Sequence, residues 1–149
     1  MRPGIRIGVD VGRARVGVAR CDRDGMLATP VETLKRDTST VASLAALIAE
    51  LEPLEVVVGL PISLSGSDTA STTDAREFAR SLAEAVAIPV RLVDERLSTV
   101  SAQRALHDAG RRAKGSRPVI DQVAAVIILQ NALDFERMAA RPPGTLIDP

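Results

Sequence analysis

Apolar residues fall in short β-branched runs at the start of the chain and recur at helical spacing over much of the rest. Residues 5–10 and 16–20 read as two strands joined by a turn rich in glycine and arginine. Asp22-Arg23-Asp24-Gly25 carries an Asp-Gly hairpin signal, and residues 26–35 follow as a third strand. Val41, Leu44, Leu47, Ile48 and Leu51 keep a helical period, which predicts a helix over 41–52, capped by Ser39 or Thr40 and stopped by Pro53. Val56-Val57-Val58, inside the strand over 55–59, is the pattern of a strand covered on both faces. A polar loop rich in Ser and Gly, from Leu60 to Thr72, leads to a helix over 73–87 and a strand over 90–93. Helices over 99–109 and 118–138 complete the pattern, and Pro142-Pro143-Gly144 lies in an irregular tail over 141–149. Three meandering strands followed by alternating helices and strands describe an α/β fold, a mixed sheet with helices on its faces. Residues 1–140 are long enough to form this as one domain with a real core.

Composition narrows the chemistry. The chain has 149 residues and is 46% hydrophobic, but it has only two Phe and no Tyr or Trp. Its core is therefore expected to be Val, Leu, Ile and Ala, and a nucleic-acid surface would lack the usual aromatic stacking platforms. Formal net charge is zero, which argues against a generally basic surface but leaves room for a local patch. Residues 101–117 hold such a patch, with Arg104, Arg111, Arg112, Lys114 and Arg117 against Asp108 alone. No apolar run is long enough to span a bilayer, no signal-peptide layout opens the sequence, and Cys21 is the sole cysteine. A cytoplasmic protein without intrachain disulfides is the expectation.

Three carboxylates stand where strands end or helices begin. Asp10 closes an otherwise apolar strand, and reads either as a turn acid accepting backbone N–H bonds or as a ligand. Glu95 follows Val90–Val93, either as a surface acid before a helix or as a second ligand; alternation puts it and Asp94 on opposite sides. Asp121 lies in the first turn of a very apolar helix, where a carboxylate also complements the helix dipole. Taken together, such oxygen ligands suit Mg²⁺ or Mn²⁺, and carboxylate-held ions of this type hydrolyse phosphodiesters. One His and one Cys do not make a zinc site, and His107 reads as a helix-surface residue. There is no Gly-x-Ser-x-Gly elbow and no P-loop.

Four segments in order carry a family resemblance. They are Gly8-Val9-Asp10-Val11-Gly12 with Arg15-Val16-Gly17-Val18-Ala19, then Val58-Gly59-Leu60-Pro61, then Asp94-Glu95-Arg96-Leu97-Ser98-Thr99, then Lys114 with Asp121 and Ala124-Ala125. Together they resemble the YqgF/RuvX family of Holliday-junction resolvase-like nucleases, within the ribonuclease-H-like superfamily. That resemblance implies a five-stranded mixed sheet and a Mg²⁺- or Mn²⁺-dependent phosphodiesterase acting on structured RNA or branched DNA. It implies catalytic, metal-binding roles for Asp10, Glu95 and Asp121. Nucleic-acid contacts would fall to Arg13, Arg15, Arg111, Arg112 and Lys114, and the loop from Gly59 to Gly66 would face the same end of the sheet.

The chain also departs from better-known junction resolvases. Where they carry a second acid one helical turn after the last catalytic Asp, Ala124 stands here, and the aromatics they stack at an opened junction are missing. The family is linked as well to maturation of the 5′ end of the small-subunit ribosomal RNA precursor, and these departures favour that role over junction resolution. Two other classes compete. A non-catalytic nucleic-acid or ribosome-associated binding module fits the same residues, whereas an actin-like kinase needs a second lobe for which 149 residues leave no room. A homodimer would suit symmetric action on two strands. Cys21 beside the hairpin turn is either a buried thiol or an exposed one open to an intermolecular disulfide.

Overall fold

The computed structural model describes residues 1–95 and 117–148, with side chains described from Gln122 onward in the second stretch. Six strands form one sheet: β1 (Arg6–Val11), β2 (Arg15–Cys21), β3 (Ala28–Lys35), β4 (Glu55–Leu60), β5 (Val90–Asp94) and β6 (Thr145–Leu146). Their order is β3-β2-β1-β4-β5-β6. β1, β2 and β3 make the expected antiparallel meander, while β1, β4 and β5 run parallel. Three described helices, α1 (Thr40–Leu51), α2 (Ala70–Ala85) and α3 (Arg117–Ala139), cover the two faces. The predicted helix over 99–109 and the basic stretch with Arg111, Arg112 and Lys114 lie outside the described residues, as does His107. No described helix is long and apolar enough to cross a membrane.

Strand alternation sorts the two faces. Ile7, Val9, Val16, Val18, Val56, Val58 and Leu92 point toward α1 and α2, where they meet Leu44, Ile48, Ala75, Phe78 and Leu82. On the opposite face Ala19, Cys21 and Ala28 pack on Ala125, Leu129 and Leu133 of α3, and Val57 packs on Ile128 and Ala132. β4 is buried along its whole length, as its apolar run predicts. Gly8 lets α3 lie close to the sheet. A Cβ there would sit 2.6 Å from Leu129 Cβ and 3.0 Å from the Ala125 carbonyl oxygen.

Three details differ from expectation. The sheet has six strands rather than five, because the 141–149 tail is not wholly irregular: Gly144, at φ +63°, turns the chain back so that Thr145 and Leu146 pair with Leu92 and Arg91. This covers an edge that β5 would otherwise leave open. Helix α2 begins at Ala70 rather than 73, since Thr69 and Thr72 form a reciprocal capping box. At α1, Ser39 occupies the cap position without a capping bond, its hydroxyl donating instead to Asp37 at 2.6 Å. Cys21 is 3% exposed, and its sulfur accepts the Arg6 backbone N–H at 3.2 Å. Of the two readings of that thiol, the buried one holds.

Candidate active site

The carboxyl ends of the three parallel strands lie side by side, a common place for ligands in open α/β sheets. Register fixes which residues meet there. Val9 pairs with Val58 and Gly59 with Val93, so Gly59 comes level with Asp10, while Glu95, two residues past that level, turns its carboxylate back over Gly59. Asp10 and Gly8 share a face of β1, the face that α3 covers. Gly59 leaves the space that Glu95 fills: a Cβ at this position would collide with Glu95 Oε1, and would stand 2.6 Å from Ile128 Cδ1. Both acids are half-buried, Asp10 within β1 and Glu95 directly after the end of β5.

The electrostatics follow from this crowding. Glu95 is pushed up from the ordinary carboxylate range to about 7, first by burial and then by the negative charges of Asp10 and Asp94. Acids with shifts of this kind cluster at functional sites. A divalent cation would relieve the repulsion, and an all-carboxylate donor set suits a hard ion such as Mg²⁺ or Mn²⁺. Among the described residues, no three His, Cys, Asp or Glu side chains group closely enough to hold an ion. Asp10 and Glu95 thus fit as part of such a donor set, with a further ligand required.

The course of α3 puts Asp121 at the appropriate level. The helix runs antiparallel to β1: Glu136 meets Arg6 at one end, and Ala125 and Leu129 meet Gly8. Asp121 lies one turn before Ala125, at the end of α3 that extends toward the level of Asp10.

The β1–β2 turn is held by a clamp that has no signature in the sequence. The Gly12 N–H donates to the Arg15 carbonyl at 2.9 Å, and a Cβ on Gly12 would stand 2.6 Å from that oxygen. Arg36, just after β3, donates to the Gly12 carbonyl at 2.8 Å and pairs with both oxygens of Asp74 on α2 at 2.8 and 2.9 Å. Its guanidinium also lies 5.1 Å from the centre of the Phe78 ring. The Arg36 hydrogen bonds hold Asp74 below its usual range, with a smaller contribution from Arg13. Arg13 is exposed on the turn and Arg15 is half-buried at the start of β2. Arg13 thus sits on the turn that follows β1, and Arg15 where β2 leaves it.

Beside Glu95 opens a cavity of about 670 Å³, lined by Leu60, Leu92, Val93, Ile128, Phe135 and Met138 among others. Of the two aromatics, Phe78 is buried in the core, whereas Phe135 is half-buried under Arg141, 5.1 Å from its ring centre.

Comparison with known proteins agrees with this fold. The family model described as "RuvX: Holliday junction resolvase" matches residues 4–135. A "Putative pre-16S rRNA nuclease" of Clavibacter michiganensis is 59% identical over 99% of this chain and 93% of its own length. Its namesake in Leifsonia xyli is 54% identical over 100% and 97%. Among solved structures, T. thermophilus RuvC in complex with a Holliday junction substrate superimposes with a TM-score of 0.63, covering 93% of this chain and 98% of that one. Identity there is 16%, so the likeness is one of fold.

Proposed function

The chain belongs to the RuvX family, and on that premise we propose that it is a metal-dependent endonuclease that processes the 5′ end of small-subunit pre-rRNA. The observation that carries this reading is the approach of the Glu95 carboxylate to Asp10 over Gly59, with Glu95 raised to about 7 by burial and by its acidic neighbours. Asp10, Glu95 and Asp121 are assigned as the catalytic carboxylates and as the ligands of Mg²⁺ or Mn²⁺. When bound, such an ion acidifies water and stabilises charge on the leaving oxygen of a phosphodiester.

Each residue has a distinct part in this proposal. Asp10, on the central strand of the sheet, fixes the position of the site. Glu95 would hold the ion beside Asp10 and orient the attacking water from the end of β5. Asp121 completes the donor set from α3. Arg13 and Arg15 offer positive charge to the substrate backbone from the turn beside Asp10, and Arg111, Arg112 and Lys114 are further candidates for backbone contact. Contacts of this kind position a substrate without reading its bases.

Near-full-length identity to proteins named as pre-16S rRNA nucleases supports the RNA substrate. The description of the family model keeps four-way DNA as the second. Cleavage of a labelled precursor-rRNA mimic and of a four-way DNA junction, each with Mg²⁺ and with Mn²⁺, tests the proposal. Wild type is expected to cut the RNA mimic in preference, and Asp10→Asn to lose at least about a hundredfold in rate. Binding without cutting by both proteins would replace the enzyme with a binding module.

A further inference from the structure

The loop between β4 and α2 leaves the sheet at the same end as Asp10 and Glu95, and it is built as a small rigid hairpin. Ile62 and Asp68 bridge its base. The Ser63 N–H donates to the Ser67 carbonyl at 3.1 Å, and the Gly66 N–H to the Ser63 carbonyl at 2.9 Å, closing a tight turn over Leu64 and Ser65. Gly66 takes φ +85°, which favours glycine there. The hydroxyls of Ser63, Ser65 and Ser67 form a chain, at 2.9 Å and 3.4 Å. The Thr72 hydroxyl donates to the Pro61 carbonyl and fastens the loop to α2.

This frame presents Leu64 to solvent at 86% exposure. A leucine so placed adds nothing to the core, yet the turn holds it at the tip. Single apolar side chains of this kind, Leu, Ile, Met or Phe, insert between base steps in nucleic-acid-bending proteins, unstacking them. The surrounding hydroxyls are small donors suited to phosphate and sugar oxygens. No charged residue occurs between Pro61 and Ser67 to oppose such an approach.

We propose that Leu64 is an apolar wedge that enters the base stack where the substrate is branched or bent, with Ser63, Ser65 and Ser67 contacting the adjoining backbone. This rests on the nuclease reading and adds to it a residue that selects deformable sites. The wedge is a specificity determinant and takes no part in the hydrolysis itself.

The test compares wild type, Leu64→Ser and Leu64→Met on paired substrates carrying 2-aminopurine at the branch, and on the same substrates with mismatches introduced there. Leu64→Ser is expected to keep the wild-type melting temperature, since the side chain is exposed. It should abolish the fluorescence rise on binding and slow cleavage of the paired substrate by about tenfold. Mismatches, which remove the need to unstack, should restore its rate to within about twofold, and Leu64→Met should behave as wild type on both. A Leu64→Ser rate equal to wild type on paired substrate would overturn the wedge and leave the tip to a protein partner. A loss that mismatches do not restore would overturn it too, pointing to a plain contact. If wild type itself cuts none of the substrates, the nuclease reading fails first and the wedge with it.

Discussion

Glycine at position 59 decides where Glu95 can be. With no side chain at that buried position, the carboxylate of Glu95 folds back over β4 beside Asp10, and its crowding raises it to about 7. Gly59→Ala would place a methyl in the space of Glu95 Oε1 and against Ile128. Overpacking of this kind costs about 1–3 kcal/mol, and it also moves the acid. We expect denaturant unfolding to report that loss and metal-dependent cleavage to fall by at least about tenfold, because small misplacements of a catalytic group are costly. Retained cleavage at wild-type rate would show that Glu95 does not need its present position. Asp10 and Glu95 were both legible in the sequence, since a carboxylate ending an apolar strand is conspicuous. The reason for Gly59 was not: its neighbour Glu95 is 36 positions away, and they meet only because β4 and β5 pair and the Glu95 side chain folds back.

At the scale of elements, the β1–β2 turn is set by contacts from β3 and α2 rather than by its own residues. Arg36 bridges Gly12 and Asp74, so the turn that follows Asp10 is tied to the helix behind the sheet. Arg36→Ala would free the Gly12 carbonyl and leave Asp74 without its partner. We expect cleavage to fall several-fold while Arg36→Lys, which keeps the charge but loses the fork, restores only part of it. A rate unchanged in Arg36→Ala would mean that the turn holds its shape unaided. The long periodic elements were read well from sequence: the meander, α1 and the buried β4 all follow from local apolar pattern. The misses have local causes as well. Thr72 serves in the α2 capping box where Glu or Gln is the usual signal, and β6 is only two residues long after two prolines. The Arg36 clamp depends on partners 24 and 38 positions away, which no short window contains.

For the molecule as a whole, the two ends of the sheet respond oppositely to pH. At the end away from the site, Arg2 and Arg6 bind Glu136, while Arg2 and Arg91 bind Glu55, with Arg6 2.7 Å from Glu136 and Arg91 2.6 Å from Glu55. Burial pushes Glu136 up, but hydrogen bonds from Arg2 and the charge of Arg6 hold it below its usual range. Its contribution is therefore present above the ordinary carboxylate range and is lost as pH falls through the folded value. Glu95 is raised, so its contribution is complete below its ordinary value of 4.5 and is lost as pH rises through about 7. Melting curves without divalent cation should thus decline on both sides, and Glu95→Gln should remove only the decline toward pH 7. Glu136→Gln should cost about 3–5 kcal/mol at neutral pH, because it leaves Arg6 charged and buried. A flat profile from pH 4.5 to 8 would refute the Glu95 assignment, and an unchanged melting temperature below pH 4.5 the Glu136 one. The central claim is that Asp10, Glu95 and Asp121, from three separate elements, make one cation site. Calorimetric titration of Mg²⁺ into wild type and into Asp10→Asn, Glu95→Gln and Asp121→Asn tests it most directly. One saturable event, weakened at least about tenfold in each variant, is expected. Equal affinity in all four proteins would contradict it.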